Sequence, residues 1–247
     1  NILQGYDNIK NEKDLSIYIK PISYRPFDKR FVFYEDKLVW RTVRKVMQHF
    51  LNGHNLGLVT IRRSRSYKEW NQIFISKEMI SGSTCISSLD INYVFPLYLY
   101  PEKQKSESSS IYFKEPYRLY GDEENKNIFQ SIIEEPQFAY KSLPYRLNLS
   151  QTIVRGIEIS LGIPFKIQQF KTDNSEFGEV DILDYIYAVL HSPSYREKFK
   201  EFLKIDFPRV PYPADKNVFW QLVKLGGELR QLHLLESPFV EKYITQY

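Results

Sequence analysis

Apolar and polar residues alternate in several short stretches of the first hundred residues. This period of two is typical of β-strands, and the stretches are rich in the aromatic and β-branched residues that strands favour. The segment 91–100 is apolar in both phases of the alternation, so we expect it to be a central and buried strand. The alternation predicts strands at 15–19, 30–34, 56–61, 71–76 and 91–100.

Helical spacing appears once among these strands and then throughout the second half of the chain. In 41–51 the apolar residues fall on one side and Asn52-Gly53 supplies a stop. Ser192-Pro193 resembles a helix cap followed by a first helical residue, and Gly226-Gly227 predicts an interruption in the last helix. The predicted helices are 41–51, 125–134, 148–161 ended by Gly162, 181–191, 193–204 and 217–235.

Strands first and helices second indicate an α+β fold and not an alternating parallel sheet. We expect a β-rich N-terminal part with mixed or antiparallel pairing, followed by a C-terminal helical region. A polar, serine-rich stretch at 102–110 predicts an exposed loop or hinge. The predicted division is therefore 1–105 for the β-rich basic part and 106–247 for the mainly helical part.

The composition of the 247 residues, with 43% apolar and 26% charged, excludes disordered and fibrous classes. No stretch approaches the roughly 20 apolar residues of a membrane span, so no membrane association is expected. Cys85 is the single cysteine, which predicts a reducing, cytoplasmic setting without disulfides, and the four scattered histidines predict no metal site. A start at Asn1 without a secretory signal suggests a piece of a longer chain.

Positive charge is concentrated near the N-terminus. Residues 20–68 contain 12 basic and 3 acidic residues, a balance of +9, whereas the whole chain carries +4 and the remainder therefore −5. Such a block predicts a polyanionic partner. A solvated face without a partner, or a basic face that docks an acidic protein, remains an alternative.

The usual catalytic signatures are absent from the sequence. It contains no phosphate-binding loop, dinucleotide fingerprint, nucleophile elbow or zinc-protease motif. Glu124 and Lys126 match part of a metal-dependent nuclease site, but no Pro-Asp strand precedes them, and a helix N-terminus also explains the acidic cluster there. A nuclease remains a minor alternative.

Several unusual blocks occur along the chain: YRPFD at 24–28, LVT at 58–60 before an arginine-bearing loop, NYVFPLYLYP at 92–101, YIYAVLHSPSYR at 185–196, IDFPRVP at 205–211 and the closing stretch at 225–236. Together they resemble the C-terminal specificity domain of Type ISP and related single-chain restriction–modification enzymes. The resemblance implies a bacterial target-recognition domain that reads double-stranded DNA for an adenine methyltransferase, with a nuclease and translocase fused in some members.

The family's catalytic motif of asparagine, two prolines and an aromatic residue is absent here, as is its cofactor-binding glycine motif. The resemblance therefore implies that this fragment is not itself an enzyme and holds no cofactor. S-adenosylmethionine is expected in an upstream methyltransferase domain of the same chain, which would be the second partner beside DNA. His191, Arg196 and Arg209 lie in apolar, proline-rich surroundings of the tail and are expected to pack there.

Residues that would contact DNA follow from the chemistry of the double helix. Arginine pairs with guanine and Asn or Gln with adenine, while other cations neutralise phosphates and exposed aromatic rings stack. Arg25 and Arg30 have an alternative role as structural partners of carboxylates. The base-reading candidates are Arg62, Arg63, Arg65, Asn71 and Gln72; the phosphate candidates are Arg25, Lys29, Arg30, Arg41, Arg44 and Lys68; the aromatic candidates are Tyr24, Tyr67 and Trp70.

Overall fold

The computed structural model describes residues 6, 9–39, 42–64, 69–82, 84, 91–101, 143–168 and 173–242. The predicted helix at 125–134, the boundary between 105 and 106, and the nuclease alternative at Glu124 and Lys126 lie outside the described residues.

Short strands precede helices in the described part of the chain, which confirms the α+β class. The β-rich part comprises β1 (Ile19–Arg25), β2 (Asp28–Phe33), α1 (Arg44–Leu51), β3 (Gly57–Ile61), β4 (Ile73–Ser76), β5 (Met79–Ile80), β6 (Asn92–Pro96) and β7 (Tyr98–Leu99). The helical part comprises β8 (Arg146–Leu147), α2 (Gln151–Leu161), α3 (Glu179–His191), α4 (Pro193–Lys198), α5 (Lys200–Leu203) and α6 (Lys216–His233), with a 3-10 turn at Pro238–Glu241.

Two three-stranded sheets organise the β-rich part. In the first, β1 pairs antiparallel with β2 and parallel with β5. In the second, β3 is central and pairs antiparallel with β4 and β6. The described strands therefore give the mixed pairing expected from the sequence, and β7 with β8 adds a two-stranded link to the helical part.

Two of the strand predictions are wrong in detail. Residues 15–18 form a 3-10 helix, because the Asp14 carboxylate accepts from the Ser16 backbone N–H and tightens the turn before β1. The segment 91–100 is not a central strand: β6 lies beside β3 alone among the described strands, and its Tyr93 and Phe95 are 41% and 39% exposed.

Two helix boundaries follow the local signals, but the predicted helix at 193–204 is divided into α4 and α5 at Phe199, whose φ of −106° and ψ of 15° are not helical, and the predicted helix at 148–161 begins at Gln151. Gly162 ends α2 with a left-handed φ of 65°, and the Ser192 hydroxyl accepts from the Tyr195 N–H to cap α4, with Pro193 as its first residue. The predicted interruption at Gly226-Gly227 is wrong, because α6 runs unbroken from Lys216 to His233. Gly226 instead allows α6 to approach the backbone of α3 closely, since a Cβ at this position would lie 1.9 Å from the Asp184 carbonyl oxygen.

The sheet of β4, β3 and β6 lies between two apolar layers. On one side Val59, Phe74 and Val94 pack against α1. On the other side Ile73 and Ile75 join the larger core, which α2, α3 and α6 complete. The β-rich and helical parts thus share one hydrophobic core, and that core holds the ends of β3 and β4 in place.

Candidate nucleic-acid interface

Two of the predicted base-reading arginines emerge directly from the end of the central strand. Arg62 and Arg63 follow β3, and both are exposed. The Arg62 Nε donates to Asp206 Oδ1 at 3.1 Å, while no carboxylate among the described residues pairs with Arg63. A strand held by a packed core delivers these side chains from a rigid base.

The hairpin between β1 and β2 presents a second basic group at its tip. Tyr24 is exposed, and the guanidinium carbons of Arg25 and Arg30 each lie 4.3 Å from its ring centroid. Stacking on an aromatic ring restricts both guanidinium groups before any ligand arrives. Phe27 in the turn has a left-handed φ of 65°, and its ring packs edge-on against Phe74 at 5.6 Å.

Carboxylates hold the cations of this tip. Asp28 accepts from the Arg30 Nε at 3.0 Å, and Glu78 accepts from Lys29 at 2.7 Å. Arg25 instead donates to the Tyr24 carbonyl oxygen at 2.8 Å. The expected alternative of carboxylate partners therefore applies to Arg30, although that pair is exposed and not buried.

A third basic group lies at the start of α1. Arg44 pairs with Asp36 at 2.5 Å, and its guanidinium carbon lies 4.9 Å from the Tyr34 ring centroid. Burial raises the pKa of the Tyr34 hydroxyl to about 12, and the hydroxyl donates to the Thr42 carbonyl oxygen at 2.6 Å. Tyr34 is thus a neutral platform for Arg44 at ordinary pH.

The fold separates the β3 end from the hairpin tip. Thr60 pairs with Ile73, which places Arg62 and Arg63 near the start of β4. The hairpin tip instead faces the opposite end of β4, through Lys29 and Glu78. β4 itself is ~10 Å long, with Arg62 and Arg63 near one end and Glu78 past the other. The predicted residues therefore form separate basic groups and not one cluster.

An aromatic cluster beside Arg62 was missed by the sequence reasoning. Phe207 packs edge-on against Tyr93 at 5.0 Å and Phe95 at 5.6 Å, with interplanar angles of 81° and 80°. Asp206 precedes Phe207 and reaches Arg62. The signal was the run at 205–211, which carries a carboxylate and an aromatic side by side, but no sequence pattern links it to β3 or β6.

Comparison with known proteins gives the family of this chain. A family model for the Type ISP C-terminal specificity domain matches residues 3–247. The chain belongs to this family. A comparison with curated proteins gives no match.

Solved structures share the fold of this specificity domain. The DrdV–DNA complex, determined by cryo-electron microscopy, superposes with a TM-score of 0.56 at 19% identity over 90% of this chain and 16% of that chain. The ATP-dependent Type ISP restriction–modification enzyme LlaBIII bound to DNA gives 0.51 at 18%, over 95% and 12%. A nuclease-deletion mutant of the Type ISP enzyme LlaGI with a DNA substrate mimic gives 0.51 at 19%, over 94% and 15%.

Two of the predicted DNA-contact residues are buried in the specificity domain. Gln72 is 2% exposed and donates from Nε2 to the Asn71 Oδ1 at 2.6 Å, so it presents no edge to a groove. Trp70 is 6% exposed in the main core, with the Arg196 guanidinium carbon 5.8 Å from its ring. Asn71 is exposed, and its role as a base-reading residue stays a prediction. Arg41, Arg65, Tyr67 and Lys68 lie outside the described residues.

In the tail of the specificity domain, two of three residues pack as expected and one does not. His191 and Arg196 pack as expected: Arg196 Nε donates to the Leu190 carbonyl oxygen at 2.7 Å, and burial lowers the pKa of His191 to about 4. Arg209 is exposed instead, and its guanidinium carbon lies 5.0 Å from the Phe202 ring centroid. It therefore adds a cation near the β3 end that the sequence reasoning assigned to packing.

The helices of the described ranges include none long and apolar enough to cross a membrane. Within the same residues, no group of three or more His, Cys, Asp and Glu side chains is arranged to hold a metal ion.

Proposed function

We propose that this specificity domain binds double-stranded DNA and selects the target sequence of a restriction–modification enzyme. The observation that carries the proposal is the pair of exposed guanidinium groups, Arg62 and Arg63, at the end of a strand fixed by the core, in a fold shared with enzymes solved on DNA. Arginines in this position have the planar donor geometry that pairs with guanine.

The basic group at the end of β3 and the one at the hairpin tip have different roles in this proposal. Arg62, Arg63 and Asn71 approach base edges, whereas Arg25, Lys29 and Arg30 at the hairpin tip neutralise phosphates. Because the two groups lie towards opposite ends of β4, the tip reaches a phosphate backbone while Arg62 and Arg63 enter the major groove. Phosphate contacts set the orientation and base contacts the selectivity.

The remaining activity of the parent enzyme belongs to other domains in this proposal. The chain spans 12–16% of the length of the solved chains it matches. We place adenine methylation, with S-adenosylmethionine as cofactor, in an upstream domain of the same cytoplasmic enzyme, together with the endonuclease. The specificity domain contributes binding without catalysis, and its helical part faces the upstream domain.

Fluorescence anisotropy with a duplex pool of random sequence tests the DNA-binding role. Affinity is expected to fall steeply between about 50 and 200 mM salt, with a slope of about −0.9 for each phosphate neutralised. Sequencing of the retained DNA is expected to show enrichment of a short motif.

Variants then separate base reading from charge. Arg62→Ala with Arg63→Ala is expected to lose the motif, whereas Lys29→Ala lowers affinity for all sequences alike. Lys166→Ala, which removes a lysine paired with Glu176 away from both basic groups, serves as the control of equal charge. Absence of binding at low salt would contradict the proposal and favour the alternative, an acidic protein partner whose binding duplex DNA does not compete away.

A further inference from the structure

Asp206 is the only acidic side chain that the described residues place against the proposed base-reading arginines. Its Oδ1 accepts from the Arg62 Nε at 3.1 Å. The carboxylate also accepts from the Phe207 backbone N–H, and this bond together with Arg62 lowers its pKa. Asp206 is therefore a full negative charge at neutral pH, located on the surface that would receive DNA.

The segment that carries Asp206 is pinned to the sheet. Phe207 packs against Tyr93 and Phe95 of β6, and the Asp206 N–H donates to the Phe202 carbonyl oxygen at 3.2 Å. Further along, the Tyr195 hydroxyl donates to the Arg209 carbonyl oxygen at 2.8 Å. Contacts on both sides hold the carboxylate in position, unlike a charge on a free surface loop.

The pair itself is exchangeable. The side chains of Arg62 and Asp206 are 57% and 37% exposed, and ion pairs of this kind contribute little to stability. Arg62 can therefore leave Asp206 for another acceptor without unfolding the domain. The carboxylate stays behind when it does, because Phe207 fixes it.

We propose that Asp206 is a specificity-determining residue, which restrains Arg62 and repels phosphates so that Arg62 engages DNA only where a base edge accepts it. This inference rests on the proposed DNA-binding function. A phosphate carries a full negative charge, whereas the O6 and N7 acceptors of guanine are uncharged, so the carboxylate penalises phosphate contacts more than base contacts. Specificity in this form comes from a repulsive element placed against the wrong partner.

Asp206→Asn tests the inference in the 247-residue chain. Asparagine keeps the shape of the side chain and an acceptor for the Phe207 N–H while removing the charge. A single charge at the edge of the interface changes affinity by about 3- to 30-fold at low salt. We expect tighter binding to random duplex by about this factor, and a salt slope steeper by about 0.9 because Arg62 gains a phosphate.

The enriched duplex and a scrambled duplex give the selectivity. We expect Asp206→Asn to lower the ratio of the two affinities, which a merely structural residue would not do at an unchanged unfolding temperature. The change in salt slope and in the selectivity ratio is expected to vanish when Arg62→Ala is already present, since no Arg62 is then released, whereas the relief of phosphate repulsion persists. Glu176→Gln is the matched control, because it removes the same charge from a pair with Lys166 outside the interface.

The outcomes separate this inference from the function beneath it. If the wild-type chain binds DNA and Asp206→Asn leaves affinity, salt slope and selectivity ratio unchanged, the role of Asp206 is overturned while DNA binding stands. If Glu176→Gln tightens binding equally, net charge alone explains the effect and the inference also fails. Should neither the wild-type chain nor Asp206→Asn bind at low salt, the proposed function fails first.

Discussion

Replacement of Gly226 by alanine tests whether α6 touches α3 backbone to backbone. The added Cβ would lie 1.9 Å from the Asp184 carbonyl oxygen and 2.7 Å from its carbonyl carbon. Atoms of this kind are comfortable at about 3.5 Å, so the helices must separate by more than about 1 Å at this point. A backbone atom cannot rotate out of the way as a side chain does.

The expected loss of stability follows from the contacts that α6 makes with α3 and the core. Phe219 and Val223 are buried in the main core, and Arg230 forms a bidentate pair with Asp184 at 2.6 and 2.9 Å. Overpacking costs about 1–3 kcal/mol and damage to a buried ion pair adds to this, while alanine in a helix returns about 1 kcal/mol. We expect Gly226→Ala to lower the free energy of unfolding by about 2–4 kcal/mol.

Urea unfolding followed by circular dichroism measures the difference. Gly227→Ala is the control in the next position, because its Cβ would meet only side-chain atoms, with the Asp184 Oδ2 nearest at 3.0 Å. We expect that variant to stay within about 1 kcal/mol of wild type, since the gain in helix propensity offsets the tight contact. Equal stability of Gly226→Ala and wild type would refute the close approach of the two helices.

Three further predictions concern buried polar groups. Asn92→Leu should raise the free energy of unfolding by about 1 kcal/mol, because neither polar atom of this buried amide has a hydrogen-bond partner among the described residues; a loss of stability in urea unfolding would contradict this. Arg230→Leu should cost about 3–5 kcal/mol by leaving Asp184 buried without its partner, and a loss below about 1 kcal/mol would contradict this. Burial lowers the pKa of His191 in the folded state to about 4, against 6.5 in the unfolded chain, so unfolding at intermediate pH takes up a proton. The free energy of unfolding should therefore fall as pH drops from about 6.5 towards 4, by about 1–2 kcal/mol at pH 5. In a series of urea unfolding curves at different pH, His191→Gln should flatten this dependence.

Local sequence signals predicted the end of α2 and the start of α4 because the relevant physics is local. The stop at Gly162 needs one residue with positive φ, and the start at Ser192 needs one hydroxyl within reach of an N–H three residues on. Gly226 shows the limit of such reasoning. In isolation a glycine in a helix indicates weakness, and only the position of α3 shows that it permits contact.

Burial of the predicted contact residues depended on tertiary partners. Gln72 and Trp70 stand next to exposed residues in the sequence, yet the helical part covers Trp70, and Gln72 turns back onto Asn71. Tyr93 and Phe95 show the reverse error. Two apolar phases suggested burial on both faces, whereas one face of β6 packs against Phe207 and stays partly exposed.

The net charge of a sequence segment differs from the charge of the surface on which its residues lie. Residues 20–68 carry +9, but the fold brings Glu78 to Lys29 and Asp206 to Arg62 from outside that segment. Lys29 and Arg62 are therefore already paired with carboxylates, which a polyanion would have to replace. In the proposed DNA-binding role, weak pairs at the surface make this replacement easy, and a carboxylate that remains fixed makes it selective. Both properties suit a domain that must leave most sequences unbound while it searches for one.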